Sequence, residues 1–165
     1  MKVILYMTIT ANGIIAQEGK RATFISKESS ESLDKLAQET RCVIYGRKSY
    51  DAEPIAGALN VVLTHNETLK SDKKEFVFMS GEPAEVLSRL EKDGYQSVLL
   101  VGGSQTNKEF IEAGLVDEIY LDVESVILGD GIPLFAPSDF EYKLELLGTK
   151  NLGSQTIQLH YKVIK

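Results

Sequence analysis

The chain reads as one α/β domain: a mostly parallel sheet with flanking helices, closed at its carboxyl end by an antiparallel hairpin. Three observations predict this. Short apolar runs without polar alternation, among them Val98-Leu99-Leu100-Val101 and Cys42-Val43-Ile44-Tyr45, mark strands buried on both faces, as in a parallel sheet. Segments of helical periodicity separate these runs, the pattern of successive β-α-β units. Residues 142–147 and 156–163 instead alternate in polarity around the turn-prone Asn151-Leu152-Gly153, which marks an antiparallel pair at a sheet edge.

Residues 3–9 form the first strand, and Asn12-Gly13 turns the chain into a short run, Ile14-Ile15-Ala16. Ser26 begins a Ser-Lys-Glu-Ser-Ser-Glu series that caps a helix running to about residue 39, with Leu33, Leu36 and Ala37 inward. The strand over 42–45 ends at Gly46, and 61–63 and 76–79 are the next two strands. Glu82-Pro83 opens a helix through residue 90, since proline suits a first turn and Val86, Leu87 and Leu90 make an apolar stripe. The strand over 98–101 stops on Gly102-Gly103. Ser104 and Thr106 then offer N-cap chemistry to a helix over 107–113, which Gly114 ends. Residues 118–123 form one more strand before the hairpin.

Composition narrows the function. A chain of 165 residues fits a single domain, 1–165, able to bury about 70% of its unfolded surface. A net charge of −6 argues against nucleic acid as the partner, since such sites need clustered Lys and Arg. A small electropositive pocket for a phosphorylated metabolite is compatible with it. Cys42, the one cysteine, lies in an apolar run and reads as a core residue rather than a nucleophile. Two widely separated histidines and that cysteine make no metal set, so no metal is expected. No apolar stretch approaches about 18 residues and no signal peptide precedes the first strand, so no membrane partner and a cytoplasmic location are expected.

Three strand ends share a chemistry. Tyr45 is followed by Gly46-Arg47-Lys48-Ser49, Leu63 by Thr64-His65-Asn66, and Val101 by Gly102-Gly103-Ser104. In a parallel sheet these ends lie on one edge, where ligands bind. Helix starts, an Arg, a Lys, a His and several hydroxyls on that edge suit a ligand with several phosphates. Alone, the Gly-Gly pair reads as a tight strand-to-helix turn, and Arg47 and Lys48 as solvated surface. Jointly they favour a nucleotide site. The set is neither a P-loop nor the G-x-G-x-x-G fingerprint, because neither motif occurs.

Four blocks then resemble the dihydrofolate reductase-like superfamily and, within it, the riboflavin-biosynthesis reductase branch, the C-terminal domain of the bifunctional deaminase-reductase. The first is Met7-Thr8-Ile9-Thr10-Ala11-Asn12-Gly13-Ile14-Ile15-Ala16, and the second Val43-Ile44-Tyr45-Gly46-Arg47-Lys48-Ser49-Tyr50. The third runs from Leu99-Leu100-Val101-Gly102-Gly103-Ser104 through Phe110-Ile111-Glu112-Ala113-Gly114-Leu115-Val116-Asp117-Glu118-Ile119. The fourth is Leu128-Gly129-Asp130-Gly131-Ile132-Pro133-Leu134-Phe135. The resemblance implies a sheet of about eight strands with NADPH bound across the strand ends. By position, Gly46, Arg47 and Ser49 would meet the adenosine phosphate and the pyrophosphate, and Thr64 and His65 the adenosine ribose and its 2′-phosphate. Gly102, Gly103, Ser104, Gln105 and Thr106 would cradle the pyrophosphate; Thr8, Ile14, Ile15 and Ala16 would hold the nicotinamide. A homodimer is implied as well. Asp117, between a helix and a strand, reads as a capping residue rather than a catalytic acid.

The same resemblance shapes the substrate reading. Dihydrofolate reductases carry a carboxylate near the start of the second helix; counting back from Gly46, that place falls on Ser30, which leaves neighbouring Glu31 as the candidate catalytic acid. An acid stabilising a helix start is the plainer reading of Glu31. Ala58 stands where folate enzymes hold the substrate's glutamate tail with an arginine, and tryptophan is absent. The riboflavin branch instead reduces a ribosylaminopyrimidine 5′-phosphate. Lys20, Arg21, Ser26 and Lys27 would clamp that phosphate, and Phe24 would stack on the pyrimidine. Val101 replaces a glutamate common in that branch, and its Asp-rich substrate segment is missing, so the natural substrate has room to differ. The expected function is an NADPH-dependent reductase of a pyrimidine- or pterin-type small molecule, most like 5-amino-6-(5-phosphoribosylamino)uracil. A dihydrofolate reductase and a non-catalytic NADPH-binding protein stay open as alternatives.

Overall fold

The computed structural model describes residues 1–20, 22–47, 54–66 and 75–165. Among them, ten strands and three helices follow in the order β1 (Lys2–Thr10), β2 (Ile14–Ala16), α1 (Lys27–Thr40), β3 (Cys42–Gly46), β4 (Leu59–Leu63), β5 (Phe76–Met79), α2 (Pro83–Lys92), β6 (Ser97–Leu100), α3 (Ser104–Glu112), β7 (Glu118–Glu124), β8 (Ile132–Pro133), β9 (Lys143–Asn151) and β10 (Thr156–Ile164). Eight strands form one sheet in the order β5-β4-β3-β6-β1-β7-β10-β9. Pairing is parallel from β5 to β7 and antiparallel from β7 through β10 to β9. The carboxyl ends of β1, β3, β4, β6 and β7 therefore share one edge, joined there by the start of β10.

The unbroken apolar runs follow from burial on both faces. On β1, Val3 and Leu5 pack with Val86 and Leu90 of α2 and Phe110 of α3, whereas Ile4 and Tyr6 pack with Ala37 of α1. Successive side chains of a strand point to opposite faces, so a strand under helices on both sides has no position left for a polar alternation. Among the described residues, no helix is long and apolar enough to cross a membrane.

Helix ends follow local chemistry in two cases and depart from it in one. Ser26 caps α1, its hydroxyl accepting from the Ser29 amide at 3.2 Å, and Arg41 ends the helix in the left-handed region with φ 60°. Proline in the first turn and the reciprocal Glu82–Glu85 capping box start α2. The third helix corrects the expectation: α3 begins at Ser104, with Gly103 as its N-cap and no side-chain cap, so Ser104 and Thr106 are inside the helix rather than ahead of it. A second departure is β8, which pairs with β2 as a separate two-stranded ribbon. Two residues carry no periodic signal. The close approach shows instead at Gly131, where a Cβ would lie 2.6 Å from the Ala16 carbonyl oxygen.

Candidate active site at the strand ends

The ends of β3 and β6 are stitched together. The Gly46 amide donates to the Gly102 carbonyl at 2.7 Å, and the Val101 amide to the Ile44 carbonyl at 3.0 Å. Gly102 has φ +89°, a region that L side chains rarely adopt, and the Gly102–Gly103 peptide bond is cis. A Cβ on Gly102 would lie 3.0 Å from Met7 Sδ, and one on Gly46 would collide with Thr106 Oγ1. Glycine at these two positions lets the end of β3, the turn and the first turn of α3 close on one another.

That closure leaves an unusual donor set. The Ser104 hydroxyl is buried and has no hydrogen-bond partner among the described residues, and neither does Asn107 Oδ1. Buried hydroxyls are nearly always paired, so an orphan beside a surface turn marks the place of a missing partner. The first amides of α3 also lack intrahelical acceptors, and no acidic residue occupies its first turn. Free amides, a hydroxyl and the positive end of a helix dipole together suit an anion.

The remaining candidates spread along the same edge. Arg47 follows β3 and is exposed; Thr64 follows β4, is buried, and accepts from the Asn66 amide at 3.0 Å, while His65 beside it is exposed. Gln105 is exposed and bonds to Glu109 at 3.1 Å. Ile14, Ile15 and Ala16 lie in β2, whose preceding turn is held by Asn12 donating to the Leu128 carbonyl at 2.7 Å. Phe24 is half-buried, and exposed Lys20 borders a shallow hollow of about 190 Å³ with Gln17, Glu18, Asp130 and Gly131. Ser26 is engaged as the α1 cap. Glu31 stands on the exposed side of α1, 3.3 Å from Lys27. Asp117 accepts from the Val3 amide at 2.8 Å and pairs with Lys165, holding a strand start. Cys42 is fully buried, which pushes its thiol up to about 12. Arg21 and Ser49 lie outside the described residues.

Beneath Thr8 sits a cluster that sequence reasoning did not single out. Register sets Thr8, Asp122 and Gln158 in one cross-strand row and Thr10, Glu124 and Thr156 in the next, all facing α1. Asp122 has 0% exposure. Its Oδ2 accepts from the Tyr6 hydroxyl and from Ser29 Oγ at 2.5 Å, and its Oδ1 from Gln158 Nε2 at 2.8 Å. Ser29 Oγ also lies 2.7 Å from Thr8 Oγ1. Burial, followed by the neighbouring Glu124 charge, holds the Asp122 carboxyl above the usual carboxylate range against the opposing hydrogen bonds of Ser29, Tyr6 and Gln158. Glu124 accepts from the Ser26 amide at 2.9 Å and from Thr156 Oγ1 at 2.6 Å, and it lines a cavity of about 330 Å³ with Ala11, Ser125 and Gln155. The signal available in the sequence was a pair of acids two residues apart in a strand that the topology places inside the sheet.

A family model described as the RibD C-terminal domain matches residues 1–158. The Bacillus subtilis protein YwjB is 29% identical over 170 residues, covering 97% of each chain. YyaP of the same organism is 24% identical over 176 residues, covering 97% of this chain and 94% of its own. Among solved structures, a pyrimidine reductase-like protein of Corynebacterium diphtheriae superposes with a TM-score of 0.82 at 13% identity, over 99% of this chain and 92% of that one. A diaminohydroxyphosphoribosylaminopyrimidine deaminase/5-amino-6-(5-phosphoribosylamino)uracil reductase of Thermotoga maritima gives 0.80 at 16% identity, over 99% of this chain and 56% of that one. At such identities the structural likeness shows the fold.

Proposed function

The chain belongs to the RibD C-terminal domain family, and from that premise we propose that it is a cytoplasmic NADPH-dependent oxidoreductase acting on a pyrimidine-type substrate. The observation that carries this reading is the orphaned Ser104 hydroxyl at the start of α3, beside glycines that let the end of β3, the turn and α3 close on one another. These residues fit a dinucleotide diphosphate. Gly102 to Thr106 would hold it, Arg47, Thr64 and His65 would take the adenosine side, and Thr8 with Ile14, Ile15 and Ala16 the nicotinamide side. The cofactor would supply hydride to a substrate carbon. The end of β4 carries Thr64-His65-Asn66 and no acid, which favours a 2′-phosphate over bare ribose hydroxyls.

The substrate class follows from the family and from what the chain lacks. The Thermotoga protein is named for a phosphoribosylaminouracil, and Ala58 offers nothing to a folate carboxylate. Loss of NADPH absorbance with 5-amino-6-(5-phosphoribosylamino)uracil, run beside dihydrofolate, tests the reading. Turnover of the aminopyrimidine and not of dihydrofolate is expected. Efficient dihydrofolate turnover would restore the folate reading, and NADPH binding with no turnover of either would overturn the enzyme.

The quaternary proposal is a homodimer. On the β9–β10 hairpin, Leu144 opposes Val163 and Leu146 opposes Tyr161, so both share the face of Ile157. They are 43%, 55% and 39% exposed, an apolar stripe beyond the reach of α2 and α3.

A further inference from the structure

Asp122 is sealed under α1, and among the described residues every group that bonds to it is neutral: Tyr6 from β1, Ser29 from α1 and Gln158 from β10. Ser32 of α1 stands behind Gln158 at 2.9 Å. The charge that bears on Asp122 is Glu124, of the same sign, further along β7. A lone buried carboxylate in such surroundings is expensive unless it takes up a proton.

Proton counting points the same way. The Tyr6 hydroxyl oxygen meets both Asp122 Oδ2 and, at 2.9 Å, the Ser29 carbonyl oxygen; Ser29 Oγ meets both Asp122 Oδ2 and Thr8 Oγ1. Those are four oxygen–oxygen contacts, and the hydroxyls of Tyr6, Ser29 and Thr8 bring three protons. With Asp122 ionised, one contact between two oxygens has no hydrogen in it. A proton on the carboxyl, turned toward Tyr6, fills the fourth; when a substrate draws the Thr8 hydrogen outward, Ser29 turns its own toward Thr8 and the carboxyl turns its own toward Ser29. Of Thr8, Ser29, Tyr6 and Asp122, Thr8 alone is not buried.

We propose that Asp122 stores the proton consumed in the reduction and delivers it to the substrate through the hydroxyls of Ser29 and Thr8. The proposal rests on the reductase reading above. Adding hydride to a substrate carbon leaves an electron pair on the attached nitrogen or oxygen, and that atom takes a proton. The Asp122 O–H bond breaks as its proton passes to Ser29 Oγ, the Ser29 proton passes to Thr8 Oγ1, and the Thr8 proton passes to the substrate. Each hydroxyl ends with one proton, as it began, and the carboxyl is left ionised. Tyr6 then turns its single proton from the Ser29 carbonyl to Asp122, stabilising the new charge. Water refills the chain in reverse through Thr8 once product has left. Asp122 touches no substrate and is a positioning residue, with Thr8 as the group in contact.

Infrared spectroscopy of the cofactor-free protein reads the store directly. The carbonyl band of a protonated carboxyl is expected at the pH of maximal turnover, absent from Asp122→Asn and shifted in Ser29→Ala. Asp122→Asn keeps the shape of the protonated acid, so it should melt cooperatively and bind NADPH as the wild type does. Its kcat is expected to fall about 10²-fold, and the decline of kcat at high pH should vanish. Thr8→Val should lose a similar factor, and Thr8→Ser, which keeps the hydroxyl, should recover most of it. An ionised Asp122 in an active wild-type protein, or a Thr8→Val variant with wild-type kcat and pH profile, overturns the relay and leaves the reductase standing. A protonated Asp122 in a protein that oxidises no NADPH with any aminopyrimidine overturns the reductase reading and the relay with it.

Discussion

Among the described residues, Ser104 and Asp122 break the ordinary pairing of buried polar groups in opposite directions, one with no partner and one with a crowd of them. For Ser104 the consequence is a separation of stability from binding. Ser104→Ala removes a hydroxyl that bonds to nothing among the described residues, so its melting temperature should hold or rise slightly. Its NADPH affinity should fall about tenfold or more, since a hydrogen bond to a charged group contributes about 1.5–3 kcal/mol. Fluorescence titration and a thermal melt separate the two; a less stable variant with unchanged affinity would make the hydroxyl structural. For Asp122 the consequence is a pH dependence of stability. Its folded-state pKa is raised, chiefly by burial, so its favourable contribution is complete below the unfolded value and is lost as pH rises through the folded one. Urea denaturation across pH should show the wild type losing stability relative to Asp122→Asn as the solution becomes more alkaline. Glu118 should behave oppositely. Burial works upward on it, but hydrogen bonds from Lys2 and His160, and their charges, outweigh that and lower its pKa. Its contribution is therefore present above the unfolded carboxylate value and lost as pH falls.

The first turn of α1 and the first turn of α3 show how differently two helix starts can be made. Ser26 caps α1 by its hydroxyl while its amide donates to Glu124 at 2.9 Å, so one residue ties the helix to the end of β7. Ser26→Ala is expected to cost about 1 kcal/mol, read as a lower urea midpoint at unchanged slope. At α3 the cap is Gly103, which has no side chain to offer, and the end of β3 holds the turn instead. Gly46→Ala drives a Cβ into Thr106 Oγ1 and should cost about 1–3 kcal/mol while weakening NADPH binding by displacing α3; unaltered affinity in the folded variant would detach this turn from the cofactor. The capping box and proline of α2 were legible because each lies within a few residues of its partner. The true start of α3 was not, because Ser104 and Thr106 have the residue types of caps and only the stitching of β3 to the Gly102-Gly103 turn carries the helix back past them.

At the scale of the molecule, the β9–β10 hairpin offers the sheet's uncovered apolar face. Replacing Leu144 and Leu146 together by Lys should shift the sedimentation coefficient to that of a monomer while leaving the melt cooperative; a wild type that is already monomeric at working concentration would remove the dimer. Much of the architecture was determined by the sequence alone. Strand periods, the Asn12-Gly13 turn, the Gly102-Gly103 stop and the alternating hairpin are patterns within a few residues, and the backbone obeys them wherever the segment ends up. The resemblance blocks carried the eight-stranded sheet from the same local strings. The face of β7 that would be buried was not a local matter. Ile119, Leu121 and Val123 alternate with Tyr120, Asp122 and Glu124, which by itself reads as an apolar inner face and a polar outer one. In the fold Asp122 and Glu124 are buried and Val123 is half-exposed. The tertiary structure decided this, because α1, capped at Ser26 and bound to Glu124, lies across the polar face and replaces its water with hydroxyls from another part of the chain.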